Sequence, residues 1–229
     1  QTSLCCGRPL YDYGMLDTAK ALLRRILDTL REPIRSGVPI VGLEPSCMTV
    51  FREELTNLLY GDEDAKRLGG QSFILSEFLQ QKVKDYQPPT LRRKALVHGH
   101  CHHKSIMKMD ADTAVLKKMG VDFAMPETGC CGMAGAFGFE RDHYDVSVAC
   151  GERVLLPAVR DTAEDTLIIT DGFSCHEQIE QETGREALHL AQVVQMALRN
   201  GELPSHETPR TSAMPLMMAG VAAGAGLGL

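Results

Sequence analysis

Cysteine residues form the same pattern twice in this chain of 229 residues. Each copy has an adjacent cysteine pair followed by glycine, with a Ser-Cys pair much further along the chain. The distance from Cys6 to Cys47 is 41 residues, and the distance from Cys131 to Cys175 is 44 residues. Soft thiolates select iron–sulfur clusters, zinc or copper(I), so adjacent cysteines with remote partners are typical of a metal centre. The pattern therefore predicts redox cofactors, or at least a bound metal.

Six of the eight cysteines belong to this pattern, and a seventh, Cys101, precedes its second copy. The predicted metal ligands and cofactor-binding residues are Cys5, Cys6, Cys47, Cys101, Cys130, Cys131 and Cys175. The last four make a complete set, which suits a [4Fe–4S] cluster. A tetrahedral zinc site also needs four ligands, and free or redox-active thiols are the third alternative. Adjacent cysteines reach two irons of one cluster more easily than they share one zinc, which favours iron–sulfur.

Histidines surround Cys101 in the string His98-Gly99-His100-Cys101-His102-His103. Histidine is a common metal ligand, so a mixed site is one alternative, with His102 as the first choice because it adjoins Cys101. Ordinary hydrogen-bonded side chains at the end of a strand are the other alternative. The first copy of the pattern has no counterpart of Cys101, and the repeat places that ligand upstream of Cys5.

Composition argues against several classes of protein. The net charge is −6 and tryptophan is absent, so we expect no nucleic-acid partner. No signal peptide is visible, so a cytoplasmic location is expected. In that location repeated cysteines favour metal or redox chemistry over disulfides. The apolar, Gly/Ala-rich stretch at 213–229 is shorter than the roughly 20 residues of a membrane span. A tail or docking segment is the preferred interpretation, with contact at the inner face of the membrane as the alternative.

Apolar periodicity predicts an α/β fold with a mainly parallel sheet and flanking helices. The predicted strands cover 38–43, 95–98, 121–125 and 167–170. The predicted helices cover 15–31, from Ser46 to about residue 60, 74–84, 105–119, 144–159 despite Pro157, and 190–199. Pro88-Pro89 marks a loop between the two halves.

Three cysteines, Cys47, Cys101 and Cys175, each follow a predicted strand, so we expect them at the carboxyl ends of strands, where open α/β sheets bind ligands. Cys47 and Cys175 also begin helices, whose dipoles favour the thiolate. Ser174 and Glu177 are predicted to form a capping box.

Two further features concern the loop around the second cysteine pair and the eighth cysteine. The glycines of that loop, Gly129, Gly132, Gly135 and Gly138, give the backbone room to wrap a cluster and to direct N–H groups at sulfur. Cys150 is predicted to be a core cysteine, because it shares a helix face with Val146 and Val154.

Five strings carry a family resemblance over roughly residues 4–198. They are Cys5-Cys6-Gly7-Arg8-Pro9, Glu44-Pro45-Ser46-Cys47, His98-Gly99-His100-Cys101-His102, Gly129-Cys130-Cys131-Gly132-Met133-Ala134-Gly135 and Asp171-Gly172-Phe173-Ser174-Cys175. These strings resemble the CCG, or cysteine-rich, domain that is shared by heterodisulfide reductase, the glycolate oxidase iron–sulfur subunit and anaerobic glycerol-3-phosphate dehydrogenase. The likeness is greatest to the C-terminal part of fused FAD-linked oxidase/iron–sulfur oxidoreductases.

The resemblance implies an iron–sulfur electron-transfer module that is not catalytic alone. An FAD-linked oxidase domain, upstream or in a partner, would oxidise a 2-hydroxy acid such as lactate, glycolate or 2-hydroxyglutarate, and electrons would pass to a quinone or another acceptor. A zinc-stabilised interaction domain and a thiol–disulfide reductase remain the alternatives.

One departure from the resemblance concerns a fifth cysteine. Val50 and Gln178 stand where the heterodisulfide reductase pattern has one in each unit, which favours four-ligand sites. We expect two pseudo-repeated CCG units at 1–90 and 91–200, followed by a linker and tail at 201–229.

Overall fold

Residues 4–199 are described by a computed structural model, which is an α/β structure with two parallel sheets. The predicted tail at 213–229 lies outside the described residues. The strands are β1 (Ile40–Gly42), β2 (Ser72–Ile74), β3 (Lys94–Val97), β4 (Asp122–Ala124), β5 (Leu167–Ile169) and β6 (Ala187–Leu188). The strand β1 pairs with β2, and the larger sheet has the order β4-β3-β5-β6 with every pair parallel. The α/β prediction is confirmed.

Twelve α-helices surround these sheets in the described part of the chain. They are α1 (Arg8–Asp12), α2 (Leu16–Thr29), α3 (Arg31–Arg35), α4 (Pro45–Thr49), α5 (Leu55–Leu58), α6 (Glu63–Gln71), α7 (Leu75–Gln81), α8 (Asp110–Met119), α9 (Tyr144–Gly151), α10 (Leu155–Arg160), α11 (Phe173–Thr183) and α12 (Leu190–Leu198). Two π-helical segments, Val50–Glu54 and His103–Met107, and two 3₁₀ turns, Phe137–Phe139 and Arg141–His143, complete the order. None of the helices between residues 4 and 199 has the length and apolar character needed to cross a membrane.

Alternation along the central strands of the larger sheet places helices on both of its faces. Val97 and Ile169 pack with residues of α8 and α12 on one face. Leu96 and Ile168 pack on the other face with residues of α10 and α11, together with two of the cysteines. Burial on both faces explains why these strands read as continuous apolar runs.

The smaller sheet belongs to a separate core, built from α2 and from the helical stretch that follows β1. This core includes Leu23, Leu55 and Leu68, all of them fully buried. It also includes Met107, with Ile106 packed against it, although both residues come from the second half of the sequence. The first core is therefore completed by the segment that follows Cys101.

Several element boundaries differ from the predictions for local reasons. The helix predicted at 144–159 is two helices, because Val154 has a non-helical conformation. Pro157 then falls in the first turn of α10, where its missing N–H costs no hydrogen bond. Similarly, the helix predicted at 105–119 is interrupted at Lys108, whose φ is +66°. The helix predicted at 15–31 is divided at Leu30 between α2 and α3.

In the first half, the strand predicted at 38–43 is confined to Ile40–Gly42 and is only partly buried, not fully buried as predicted. The helix predicted at about 74–84 begins at Leu75, directly after β2, and ends at Gln81. The helix α6 and strand β2 were not predicted. The glycines at positions 69 and 70, both within α6, weaken its helical pattern.

Candidate metal centre

The two Cys-Cys-Gly triplets form the same backbone turn. Gly7 has φ +79° and Gly132 has φ +101°, a left-handed region that favours glycine. In each turn the glycine N–H points at the first cysteine of the pair, with N–S distances of 3.4 Å from Gly7 to Cys5 and 3.3 Å from Gly132 to Cys130. At Cys130 this N–H···S contact contributes to a lowered pKa, because hydrogen bonding to the charged form stabilises it.

The distal cysteines occupy the same position in two helices. Cys47 is the third residue of α4, and Cys175 is the third residue of α11. Each lies against the second cysteine of a triplet, with sulfur–sulfur distances of 3.0 Å from Cys47 to Cys6 and 3.4 Å from Cys175 to Cys131. Both halves of the sequence pattern therefore fold to the same local arrangement of thiols.

The caps of these two helices differ from the prediction. Ser174 is not an N-cap, because Gly172 holds that position, and the Ser174 hydroxyl instead donates to the carbonyl of Gly135 at 3.3 Å. The Ser174–Glu177 capping box is therefore wrong. The helix α4 is capped by Glu44, whose carboxylate accepts the N–H and hydroxyl of Ser46, the residue at which that helix was predicted to begin.

Glu44 also caps the second cysteine-bearing helix. Its Oε1 accepts the N–H and hydroxyl of Ser46 at 3.1 Å and 2.6 Å, while its Oε2 accepts the N–H of Phe173 at 2.8 Å. One carboxylate thus satisfies N-terminal donors of both α4 and α11. The first turns that carry Cys47 and Cys175 are tied together through this side chain.

The four cysteines of the second set lie in a chain of thiol contacts. Cys101 hydrogen-bonds to Cys130, Cys130 to Cys131, and Cys131 to Cys175. The hydrogen bonds from Cys101 and Cys131 lower the pKa of Cys130 to about 2, and the hydrogen bond from Cys131 lowers the pKa of Cys175. The same bonds raise the pKa values of Cys101 and Cys131.

The first set has a single close pair. The hydrogen bond with Cys47 lowers the pKa of Cys6 to about 7, against the opposing effect of burial, and the same bond raises the pKa of Cys47. Cys5 is exposed beside this pair. The structure therefore brings Cys5, Cys6 and Cys47 to one place, where they form the smaller thiol site.

The sulfur positions can be compared with the requirements of a metal. A tetrahedral site with metal–sulfur bonds of about 2.3 Å separates neighbouring sulfurs by about 3.8 Å. The observed pairs are at 3.0 Å and 3.4 Å, so modest outward shifts of the side chains are needed. Soft donors that converge from three chain segments, with N–H groups directed at sulfur, fit a metal or a metal cluster.

The histidines near Cys101 divide into two groups. One atom each of His100, Cys101 and His102 lies within 4.8 Å of the others, so these residues form a possible mixed ligand set. Burial lowers the pKa of His102 and favours the neutral ring that binds metals. His98 bonds through Nδ1 to Thr128 at 2.7 Å, and His103 bonds through Nε2 to Asp112 at 2.9 Å. Metal binding by His102 stays a prediction.

Cys150 is not the core cysteine that its helical spacing predicted. Val146 is 53% exposed and Val154 is 37% exposed, so the face that they share is not a core face. Cys150 is half-buried and borders a cavity of about 150 Å³ together with Cys130 and Arg153. The prediction failed because the helix ends at Gly151 and its apolar periodicity does not continue to Val154.

A cavity of about 300 Å³ adjoins the second thiol site and is lined by residues from both halves of the chain. The first half of the chain contributes Arg8, Asp12, Tyr13 and Ser46, and the second half contributes His100, Cys101, His102, Cys130, Ala134, Gly135, Phe137 and Ser174. Two cysteines of the second set therefore face open space beside a buried arginine.

Arg8, which the sequence analysis assigned no role, connects this cavity to the first core. The side chain is only 6% exposed, and its guanidinium lies 2.6 Å from Glu54, 3.5 Å from Asp12 and 3.2 Å from the hydroxyl of Thr49. An arginine that directly follows a Cys-Cys-Gly triplet was the available signal, but its partner Glu54 is far away in the sequence.

Glu54→Gln is expected to destabilise the protein, because it leaves the Arg8 charge buried with only the more distant Asp12. Removing one partner of a buried ion pair costs about 3–5 kcal/mol. Because Asp12 still contacts Arg8, we expect the free energy of unfolding to fall by about 3 kcal/mol. Urea denaturation measures this loss. Glu63→Gln is the control, since the exposed Glu63–Lys66 pair contributes at most about 1 kcal/mol. Equal losses for the two variants would contradict the assignment.

Comparison with known proteins agrees with the repeated site. A family described as "Cysteine-rich domain" (CCG) matches residues 1–52 and 96–180. One component of the anaerobic glycerol-3-phosphate dehydrogenase of Escherichia coli K12 is 26% identical over 199 residues, which are 85% of this chain and 49% of the relative. Lactate utilization protein A of Bacillus licheniformis is 30% identical, covering 83% of this chain and 82% of the relative.

A third relative is much longer than the matched region. D-2-hydroxyglutarate dehydrogenase of Pseudomonas putida is 28% identical over 82% of this chain and 18% of the relative. The chain thus spans about half of the glycerol-3-phosphate dehydrogenase component and less than a fifth of this dehydrogenase.

Proposed function

The chain belongs to the cysteine-rich CCG domain family, and we propose on that basis that it is the iron–sulfur electron-transfer component of a flavin-dependent dehydrogenase. The convergence of Cys101, Cys130, Cys131 and Cys175 carries this proposal. Three separate segments contribute to that set, and four thiolates suit a [4Fe–4S] cluster, which exchanges single electrons when bound. The family and the relatives support an oxidoreductase component, and the cluster type is our inference.

In this proposal the protein residues hold the cofactor and control its surroundings. Cys131 and Cys175 are 4% and 1% exposed, so that side of the site is closed to solvent. Cys130 is exposed and Cys101 is half-buried, so the side towards the cavity is open. The Gly132 N–H donates to the Cys130 sulfur, and such contacts to sulfur tune the reduction potential.

The smaller thiol site of Cys5, Cys6 and Cys47 is proposed as a second metal position. Its turn, its helix position and its sulfur–sulfur contact repeat those of the complete set. Three cysteines supply one ligand fewer than the complete set. The proposed boundaries of the two units, at 1–90 and 91–200, follow from the same repeat.

The substrate and the acceptor belong to the whole dehydrogenase. The names of the relatives refer to glycerol 3-phosphate, lactate and D-2-hydroxyglutarate. Two of these three are 2-hydroxy acids, so we propose that an FAD-linked oxidase domain or partner oxidises a 2-hydroxy acid and reduces this component. The cavity of about 300 Å³ beside Cys101 and Cys130 supports the approach of a quinone or another acceptor.

A thiol–disulfide reductase is the second candidate, and one observation favours it. Cys6 and Cys47 are 3.0 Å apart, and the pKa of Cys6 is lowered to about 7, the range of reactive dithiols. A zinc-stabilised interaction domain is the third candidate, since zinc also binds four thiolates.

Anaerobic purification followed by metal and sulfide analysis separates these candidates. We expect iron and acid-labile sulfide in equal amounts, with broad visible absorption that dithionite bleaches and a soluble quinone restores. One zinc per chain without colour would instead establish the zinc-stabilised domain. A colourless protein that forms a mixed disulfide with a dithiol-reactive substrate would establish the reductase.

A further inference from the structure

A second group of metal-ligand side chains lies behind the cysteine site. His103 comes from the π-helical segment, Asp112 from α8, and Asp171 from the loop after β5. The His103 Nε2 and Asp112 Oδ2 atoms are 2.9 Å apart, and one ligand atom from each of the three residues lies within 4.8 Å of the others. His103 and Asp112 are 1% and 4% exposed. No cysteine belongs to this group.

The group brings one imidazole and two carboxylates together in a largely buried place. The His103 ring faces two carboxylates, Asp112 and Asp171. His189 approaches Asp171 at 3.6 Å, but its Nδ1 accepts the N–H of Ala191 and its Nε2 lies 2.8 Å from the carbonyl of Leu43. The Asp171 Oδ1 atom accepts the N–H of Leu190 at 2.8 Å. A metal ion is one way to satisfy carboxylates that are buried together.

An unpartnered hydroxyl points to a missing neighbour at the same place. Thr170 is 3% exposed, and its Oγ1 atom has no hydrogen-bond partner among the described residues. Thr170, His103, Asp112 and Asp171 all line a small space of about 10 Å³, which His98 also borders. A space of this size holds one water molecule or one metal ion.

We propose that His103, Asp112 and Asp171 bind a divalent first-row cation, with the Thr170 hydroxyl available as a further oxygen ligand. One imidazole and two carboxylates are a harder donor set than the thiolates, and such sets suit manganese as well as zinc. Metal–ligand bonds of about 2.0–2.2 Å place neighbouring ligand atoms about 3 Å apart. The His103–Asp112 separation already meets this distance, so only Asp171 has to approach.

The cation would connect two loops of the cysteine site. His103 lies two residues after Cys101, and Asp171 lies four residues before Cys175. A bound ion would therefore hold the segments of both cysteines against α8, without contacting either sulfur. Its role is structural positioning, and it differs from the electron-carrying centre in ligand type and place.

Mn²⁺ is the probe for this site, because thiolates do not select it. We expect the full chain, freed of divalent ions, to bind about one Mn²⁺, with a ¹⁴N coupling from one imidazole in pulsed EPR spectra. Asp112→Asn should weaken Mn²⁺ binding at least tenfold. Glu180→Gln is the matched control, since it alters the partly exposed group of His176, Glu177 and Glu180 and should leave binding unchanged.

Three results would count against the proposal. Absence of stoichiometric Mn²⁺ binding by the wild type would mean that water or a proton fills the space. Loss of Mn²⁺ binding in Glu180→Gln, with unchanged binding in Asp112→Asn, would show that the ion binds to the group of His176, Glu177 and Glu180. Wild-type melting with and without Mn²⁺ gives a readout that does not depend on any variant, and an unchanged melting temperature would also count against the site. Iron content, measured in parallel, reports separately on the cysteine centre.

Discussion

Cys175→Ser is expected to lose the metal centre. The Cys175 sulfur is fully buried, lies 3.4 Å from Cys131, and sits in the first turn of α11, where the helix dipole favours its thiolate. Serine replaces the soft ligand with a hydroxyl that stays protonated. Mutation of residues that merely support a ligand costs about 10–100-fold in metal affinity, so loss of a ligand should cost at least as much. Iron per chain and visible absorption measure the loss.

Cys150→Ala is the matched control for this variant. Cys150 lies near the same loop but has no counterpart in the first half of the chain. We expect it to retain the metal and to lose about 1 kcal/mol of stability from a small truncation. A chromophore that disappears in Cys150→Ala and survives in Cys175→Ser would show that the cysteines have been divided wrongly.

Gly132→Ala is expected to disrupt the second Cys-Cys-Gly turn. A Cβ atom at this position would lie 2.3 Å from the Ser147 carbonyl oxygen and 2.8 Å from the Cys150 Cβ, at a φ of +101°. Left-handed strain of about 1–2 kcal/mol adds to an overpacking cost of about 1–3 kcal/mol, for a total of about 2–5 kcal/mol. The turn must move away from α9, so the metal content should fall together with the denaturation midpoint.

Gly129→Ala provides the comparison within the same loop. Gly129 also has a positive φ, +67°, but an added Cβ would meet nothing within 4 Å. Only the backbone strain applies, so we expect a loss of about 1–2 kcal/mol and normal metal content. If both alanine variants lost metal equally, the close packing of Gly132 against Ser147 would not be the cause.

Local patterns predicted most of the elements that carry the cysteines. The central strands are apolar runs with helices on both faces, so β3 and β5 were found close to their observed positions. The repeat also predicted that the cysteines of each set cluster, and Cys6 lies 3.0 Å from Cys47 and Cys131 lies 3.4 Å from Cys175. Both inferences rest on features that lie within a short stretch of sequence or that occur twice.

Features that depend on distant contacts escaped prediction. Glu44 caps a helix that begins 129 residues later, and nothing near Phe173 in the sequence indicates this partner. Cys150 was misplaced because a helical pattern was extended beyond the point where the backbone leaves the helix. Asp112 and Asp171 read as ordinary polar residues, and only the fold brings them to His103.

The position of Met107 in the first core has a consequence for the order of folding during synthesis. The ribosome adds about 5–20 residues per second, and segments generally fold as they emerge. Leu55 and Leu68 emerge well before Met107 and Ile106, which complete the same core. Until the segment after Cys101 has left the ribosome, the earlier helices hold an open apolar surface, which is the kind of surface that chaperones bind. Cys101 precedes Met107 in the sequence, so it has already emerged from the ribosome when the first core closes. The first ligand of the second site is therefore synthesised before the first core is complete.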